Sequence, residues 1–259
     1  MHKAIEHKMR ILMIALVALA VLFVSGCSVT PKVDPDIAYE PPKHKTEDYI
    51  KETVVYAADV YDPWEGFNRR AYTFNYYFDK FIFLPIVNTY EFITPNYVEK
   101  RVSNFVDNVY EFNNFTNNLL QLKLKRTGIT LARFLVNTTV GIAGLWDPAT
   151  HWGMPRQTED FGQTLGHYGV GNGPYIVLPI LGPSNLRDTT GLVTDAVAFS
   201  VAGPPAWVDD DTTTLVFNGV AAVDKRHRQS FRYYRSGSPF EYDMIRMLYK
   251  SKREIEIAK

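Results

Sequence analysis

The sequence predicts a mainly α-helical fold, a bundle of amphipathic helices with a short hairpin or extended segment near 174–181. Three observations carry this reading. Trp64, Phe67, Ala71, Phe74, Phe78 and Phe81 recur at spacings of 3, 4, 3, 4 and 3, the period of one helical face. Helix-start signals recur along the chain, as in Asp62-Pro63-Trp64-Glu65, Thr94-Pro95 and Ser238-Pro239-Phe240-Glu241. Pro174-Tyr175-Ile176-Val177-Leu178-Pro179 instead reads as an extended apolar piece.

The first segment has the layout of a secretory signal. Lys3, Lys8 and Arg10 precede fourteen residues, Ile11 to Val24, without a polar side chain. A bilayer span needs about 20 apolar residues, so the run is short for a transmembrane anchor, the simple alternative. Val24-Ser25-Gly26-Cys27 follows and looks like a bacterial lipobox, with Cys27 the sole cysteine of the chain. The expected division is a signal peptide (1–26), a lipidated N-terminus and flexible tether (27–61), and a single helical domain (62–259). Ser28, in place of an Asp, favours the outer membrane. Pro31, Pro35, Pro41 and Pro42 mark the tether, which would reach roughly 30 Å as a coil.

The whole chain has a formal net charge of zero, and residues 27–259 about −2. That balance argues against a nucleic-acid partner. Aromatics are concentrated: 12 of the 36 Phe, Tyr and Trp residues lie between Tyr61 and Phe92. They suit either a core or a membrane interface.

In the domain, Asp62 and Glu65 are expected to form a capping box and Pro85 to end the first helix. The breadth of its aromatic surface, widened by Tyr72, Tyr76, Tyr77 and Phe83, favours membrane contact through Trp64, Phe67, Phe74, Phe78 and Phe81. A second helix starts at Thr94-Pro95, with Val98, Val102, Phe105, Val109 and Phe112 on one face. A third starts near 126–130 and ends before Asp147-Pro148, with Gly141 and Gly144 allowing close backbone approach. A helix over 158–165 leads into a glycine-rich turn and the extended piece. Further helices fit 184–199, 212–234 and 238–255, the last with Ser238 and Glu241 as its box.

Catalytic patterns are lacking. There is no G-x-S-x-G elbow, no H-E-x-x-H pair and no metal-ligand spacing among the histidines. No cofactor is expected. His167 beside the turn reads as structural. Glu159-Asp160 and Asp209-Asp210-Asp211 read as caps or solvated loops. The basic run Lys225, Arg226, His227, Arg228, Arg232 and Arg235 reads as a solvated face, or as attracted to anionic headgroups or an acidic partner.

Several motifs in series resemble one family. They are Asp62-Pro63-Trp64-Glu65-Gly66-Phe67-Asn68-Arg69, Ser103-Asn104-Phe105 and Arg133-Phe134 through Asn137-Thr138-Thr139 to Asp147-Pro148-Ala149. Glu159-Asp160-Phe161-Gly162-Gln163-Thr164-Leu165-Gly166-His167-Tyr168-Gly169-Val170-Gly171 continues through Gly173-Pro174-Tyr175 to Arg187-Asp188. This series resembles the MlaA (VacJ) outer-membrane lipoproteins. Where that family often has Pro near 112 and Gly near 122, this chain has Phe112 and Leu122, which removes the residue types that set a kink and a turn there.

The resemblance implies a ring-like, non-enzymatic lipid transporter in the inner leaflet of the outer membrane. Such proteins remove phospholipids misplaced in the outer leaflet and pass them to a soluble periplasmic carrier, MlaC; trimeric porins are typical partners. It also implies a channel, shaped or gated here by Gly166, Tyr168, Gly169, Gly171, Gly173 and Tyr175. A structural adaptor lipoprotein that holds porins without moving lipid is the alternative.

Overall fold

The structure is a computed structural model that describes residues 60–259, Asp209 apart. The signal peptide, Cys27 and all but the last two residues of the expected tether lie outside the described residues. Those two belong to the domain: the Tyr61 carbonyl accepts from the Tyr175 amide at 2.9 Å.

The fold is mainly helical, with one two-stranded sheet. Helix α1 covers Glu65–Phe78, a π-helical turn covers Asp79–Phe83, and α2 covers Leu84–Ile93. Then come α3 (Asn96–Val109), α4 (Glu111–Leu120), α5 (Leu124–Thr139), α6 (Pro148–His151) and α7 (Phe161–His167). Strands β1 (Tyr175–Leu178) and β2 (Gly182–Asn185) pair antiparallel, Tyr175 opposite Asn185, as the extended reading of this segment anticipated. Helices α8 (Leu186–Ala202), α9 (Asp211–His227) and α10 (Glu241–Ala258) complete the chain, with a 3-10 turn at Pro204–Trp207.

Pro85 does not end the first helix. The π turn widens the backbone so that the Leu84 amide bonds the Asp79 carbonyl. Pro85 then falls at the opening of α2, where its missing N–H matters least. Arg226 of α9 clamps the turn, its guanidinium bidentate on Asp79 at 2.6 and 2.7 Å.

Neither expected capping box forms. Asp62 turns inward to accept from Asn68 at 2.7 Å and from Tyr242, while Glu65 pairs with Arg69. Glu241 accepts from Tyr72 and from the Ser236 amide. Asp62 and Glu241 are recruited by buried donors, a stronger demand than a helix end.

The second predicted helix breaks at Tyr110 between α3 and α4. Leu122 adopts φ 58° and makes the expected turn without a glycine, a left-handed strain of about 1–2 kcal/mol. At Gly144 a Cβ would lie 2.6 Å from the Asn108 side chain, so the close approach is real.

Candidate functional site

Helix α5 shows the organising pattern. Leu124, Leu131 and Leu135 are exposed on one side, while Thr127, Thr130, Arg133 and Asn137 are buried on the other. The buried hydroxyls of Thr127 and Thr130 satisfy themselves on the carbonyls of Lys123 and Arg126. The pattern is inverted relative to a water-facing helix. It recurs in α8, where Leu192, Val193, Val197 and Val201 are exposed, and in α9 with Leu215, Val216 and Val220. Among the described residues, 25 polar or charged residues are buried against 11 hydrophobic ones.

Helix α1 follows the same rule. Trp64, Phe67, Phe74 and Phe81 are exposed and Phe78 is half-buried. Of the predicted stripe, only Ala71 is buried. The opposite face carries Asn68, Tyr72, Asn75 and Tyr76 into the interior.

Two of these asparagines do what sequence reading missed. Asn68 donates to the Tyr175 carbonyl at 3.1 Å and accepts from the Val177 amide at 2.8 Å. Asn75 donates to the Leu178 carbonyl at 3.0 Å and accepts from the Ile180 amide at 2.6 Å. Seven helical residues rise about 10 Å, and three strand residues also advance about 10 Å. The amides of α1 therefore occupy the free edge of β1 as a partner strand would. An Asn pair at i and i+7 beside a lone hairpin is the signal that could have revealed this.

Charged residues of the family motifs meet inside. The Arg133 side chain is 3% exposed; it bonds Glu111 at 2.9 Å, Asp147 at 3.2 Å and the Thr150 hydroxyl at 3.0 Å. Asp147 caps α6 through the Thr150 amide. Burial opposes ionisation of Asp147, but its bonds to Thr150 and Asn137 and the Arg133 charge outweigh it and lower its pKa.

A second cluster joins α7, α8 and α10. Arg253 bonds Asp160 at 2.7 and 2.8 Å and Asp188 at 2.9 Å. Burial again opposes ionisation, and the Arg253 guanidinium prevails, so both carboxylates sit below the ordinary range. In the sequence Arg253 reads only as part of the basic end of the last helix, because its partners Asp160 and Asp188 lie far away along the chain. Asp160 does cap α7, through the Gln163 amide. Glu159 is not solvated: it is buried against Arg126 at 2.7 Å and Lys123 at 3.2 Å.

The basic run near 225–235 is likewise no simple solvated face. Arg226 is consumed by Asp79, Arg228 pairs with Asp107 and Asp224, and His227 Nδ1 lies 2.7 Å from Glu91. Glu91 and Asp107 come within reach because α9 packs on α2 and α3, while Asp79 lies in the π turn and Asp224 on α9 itself. His167 is exposed at the end of α7, its ring edge-on to Tyr168.

The six expected gate residues divide. Tyr168, Gly169, Gly171 and Gly173 lie in an exposed loop between α7 and β1, with Gly166 half-buried at its approach. Gly169 and Gly173 take φ 85° and 66°, which requires glycine or strain. The Tyr168 hydroxyl donates to the Leu120 carbonyl at 2.5 Å, pinning the loop to α4. Tyr175 stands apart in the core, 1% exposed and edge-on to Tyr242 and Tyr249.

Among the described residues no His, Cys, Asp or Glu cluster could hold a metal. None of the described helices is long and apolar enough to cross a membrane.

Comparison with known proteins bears on this arrangement. Residues 60–256 match the family described as MlaA lipoprotein. An uncharacterised protein of Rickettsia prowazekii is 47% identical over 52% of this chain and 54% of its own length. The intermembrane phospholipid transport system lipoprotein MlaA of Escherichia coli is 39% identical over 52% of this chain and 55% of its own. The protein of the same name in Haemophilus influenzae is 34% identical over 64% and 66%. The matches thus span about half to two thirds of these relatives. A solved chain described under "Structural basis for maintenance of bacterial outer membrane lipid asymmetry" superposes with a TM-score of 0.62 at 30% identity, over 76% of this chain and all of that one.

Proposed function

We propose a function from the premise that the chain belongs to the MlaA lipoprotein family: it withdraws phospholipid from the outer membrane and so maintains the lipid asymmetry of that membrane. The observation that carries this is the inverted burial of its helices. Exposed apolar faces over α1, α5, α8 and α9 are stable in hydrocarbon and unstable in water. In this reading those faces seat the domain in one leaflet, held also by lipid on Cys27. A two-chain phospholipid leaving a bilayer exposes about 30 methylenes, a penalty on the order of 20 kcal/mol. Apolar helix faces beside a polar interior offer tails and headgroup separate surfaces.

In this reading the domain faces the periplasm, and the 168–174 loop with Gly166 and Tyr175 controls the passage. The chain acts by conducting lipid rather than by catalysis. It delivers to an MlaC-like periplasmic carrier and sits beside trimeric porins. Family membership, the curated relatives' names and the inverted surface support this reading. Deleting the gene should raise outer-leaflet phospholipid, measured by surface-accessible labelling of lipid on intact cells; restoring the chain should lower it again. Unchanged surface phospholipid rejects the transport role.

A further inference from the structure

We propose that the cleft between α2 and α9 binds one acyl chain of a phospholipid, with Tyr90 donating to the ester carbonyl of that chain. The inference rests on the leaflet-seated reading above.

The cleft has a volume of about 520 Å³, within the roughly 300–1,000 Å³ of small-molecule sites. Helix α2 supplies Ile86, Tyr90 and Ile93, and α9 supplies Gly219, Val220 and Val223. Its walls are almost wholly apolar, so they suit a hydrocarbon chain and offer nothing to a headgroup. The rim continues into the apolar surface: Ile86, Ile93 and Val220 are themselves exposed, as are Ile82 and Phe92 on one side and Leu215 and Val216 on the other. A chain leaving the bilayer core reaches the cleft without crossing water.

One polar atom marks where the hydrocarbon should stop. The Tyr90 hydroxyl is buried without a hydrogen-bond partner. Burial, together with the charges of Glu99, Asp224 and Glu91, raises its pKa and keeps it a donor. A protonated hydroxyl without a partner has its O–H free for an acceptor. A free fatty acid would bring a charged carboxylate into an almost wholly apolar cleft, beside acids already engaged by Arg228 and His227, and its desolvation opposes that. A neutral ester carbonyl meets the donor without that opposition. The 2.7 Å contact of His227 with Glu91 ties the two helices together beside the site.

Gly219 leaves the cleft open. A Cβ built there meets nothing within 4 Å, so a larger residue would occupy cleft space rather than displace protein.

The test uses the full chain in phospholipid nanodiscs doped with a phosphatidylcholine carrying a photoreactive diazirine on one acyl chain. Illumination should label peptides of α2 and α9, and also Leu131 and Leu135 of α5. Gly219→Leu should abolish labelling of α2 and α9 while leaving α5 labelled and the melting temperature unchanged or higher. Tyr90→Phe should weaken cleft labelling by about fivefold to tenfold, the worth of one hydrogen bond, again without loss of stability. Undiminished cleft labelling in Gly219→Leu, with α5 labelled, overturns the site but leaves the leaflet reading intact. Loss of α5 labelling in the unaltered protein overturns the leaflet reading itself. Equal labelling of the cleft by a diazirine fatty acid overturns the ester assignment. A cross-link between the cleft and residues 1–59 would make the occupant the protein's own N-terminal segment and overturn the lipid site.

Discussion

Arg133 holds Glu111 and Asp147 in the interior, and the three were not equally legible. Arg133 and Asp147 fall in the family-like motif, but Glu111 carries no local signal and reaches them only because α4 lies along α5. Removing Arg133 leaves the buried Glu111 carboxylate with only the Asn114 amide and a longer 3.8 Å contact with Arg156. Arg133→Ala should therefore destabilise the domain by about 3–5 kcal/mol, read as a fall in melting temperature in detergent. Arg253 works similarly between Asp160 and Asp188. Both carboxylates have depressed folded pKa values, so they bind protons more weakly folded than unfolded. Their contribution is complete above about pH 4 and is lost as pH falls through the folded values. Protection of the α10 amides, with exchange corrected for its intrinsic pH dependence, should fall below pH 4 and stay flat between pH 5 and 8. Loss of protection in the neutral range would show that other groups hold that helix.

At the level of elements, periodicity found the helices but assigned their faces only in part. The Trp64–Phe81 stripe has the spacing of a core face, and composition alone leaves core and membrane interface as alternatives. The asparagines decide. Asn68 and Asn75 need buried partners, and β1 supplies them, which turns the phenylalanines outward. Placing Asp at both Phe74 and Phe78 should leave the helical circular dichroism intact and weaken flotation with liposomes. Unfolding by the pair would mean that the face packs on protein. Pro85 predicts a stop because an α-helix leaves no room for it. The π turn, which has no sequence marker beyond Pro85 itself, provides that room. Pro85→Ala should thus change stability by less than about 1 kcal/mol, against the ~3 kcal/mol expected of an interior proline. Urea titration distinguishes the two. Glu241 shows the limit of cap reading: a local pattern cannot register a distant buried donor such as Tyr72, whereas Glu65 is taken by Arg69 one turn along the same helix.

Over the whole molecule, fold class and the hairpin were readable because both rest on local pattern: helical spacing and one apolar piece between prolines. The interior was not, because its partners converge from across the chain, as Arg226 does on Asp79 and Arg253 on Asp160. The outward apolar faces also govern delivery. Surfaces of this kind adhere to one another in water, so the folded domain cannot wait alone in an aqueous compartment between two membranes. On the proposed seating in a leaflet, an escort would have to cover the same faces that the leaflet covers, and release and seating would compete for one surface.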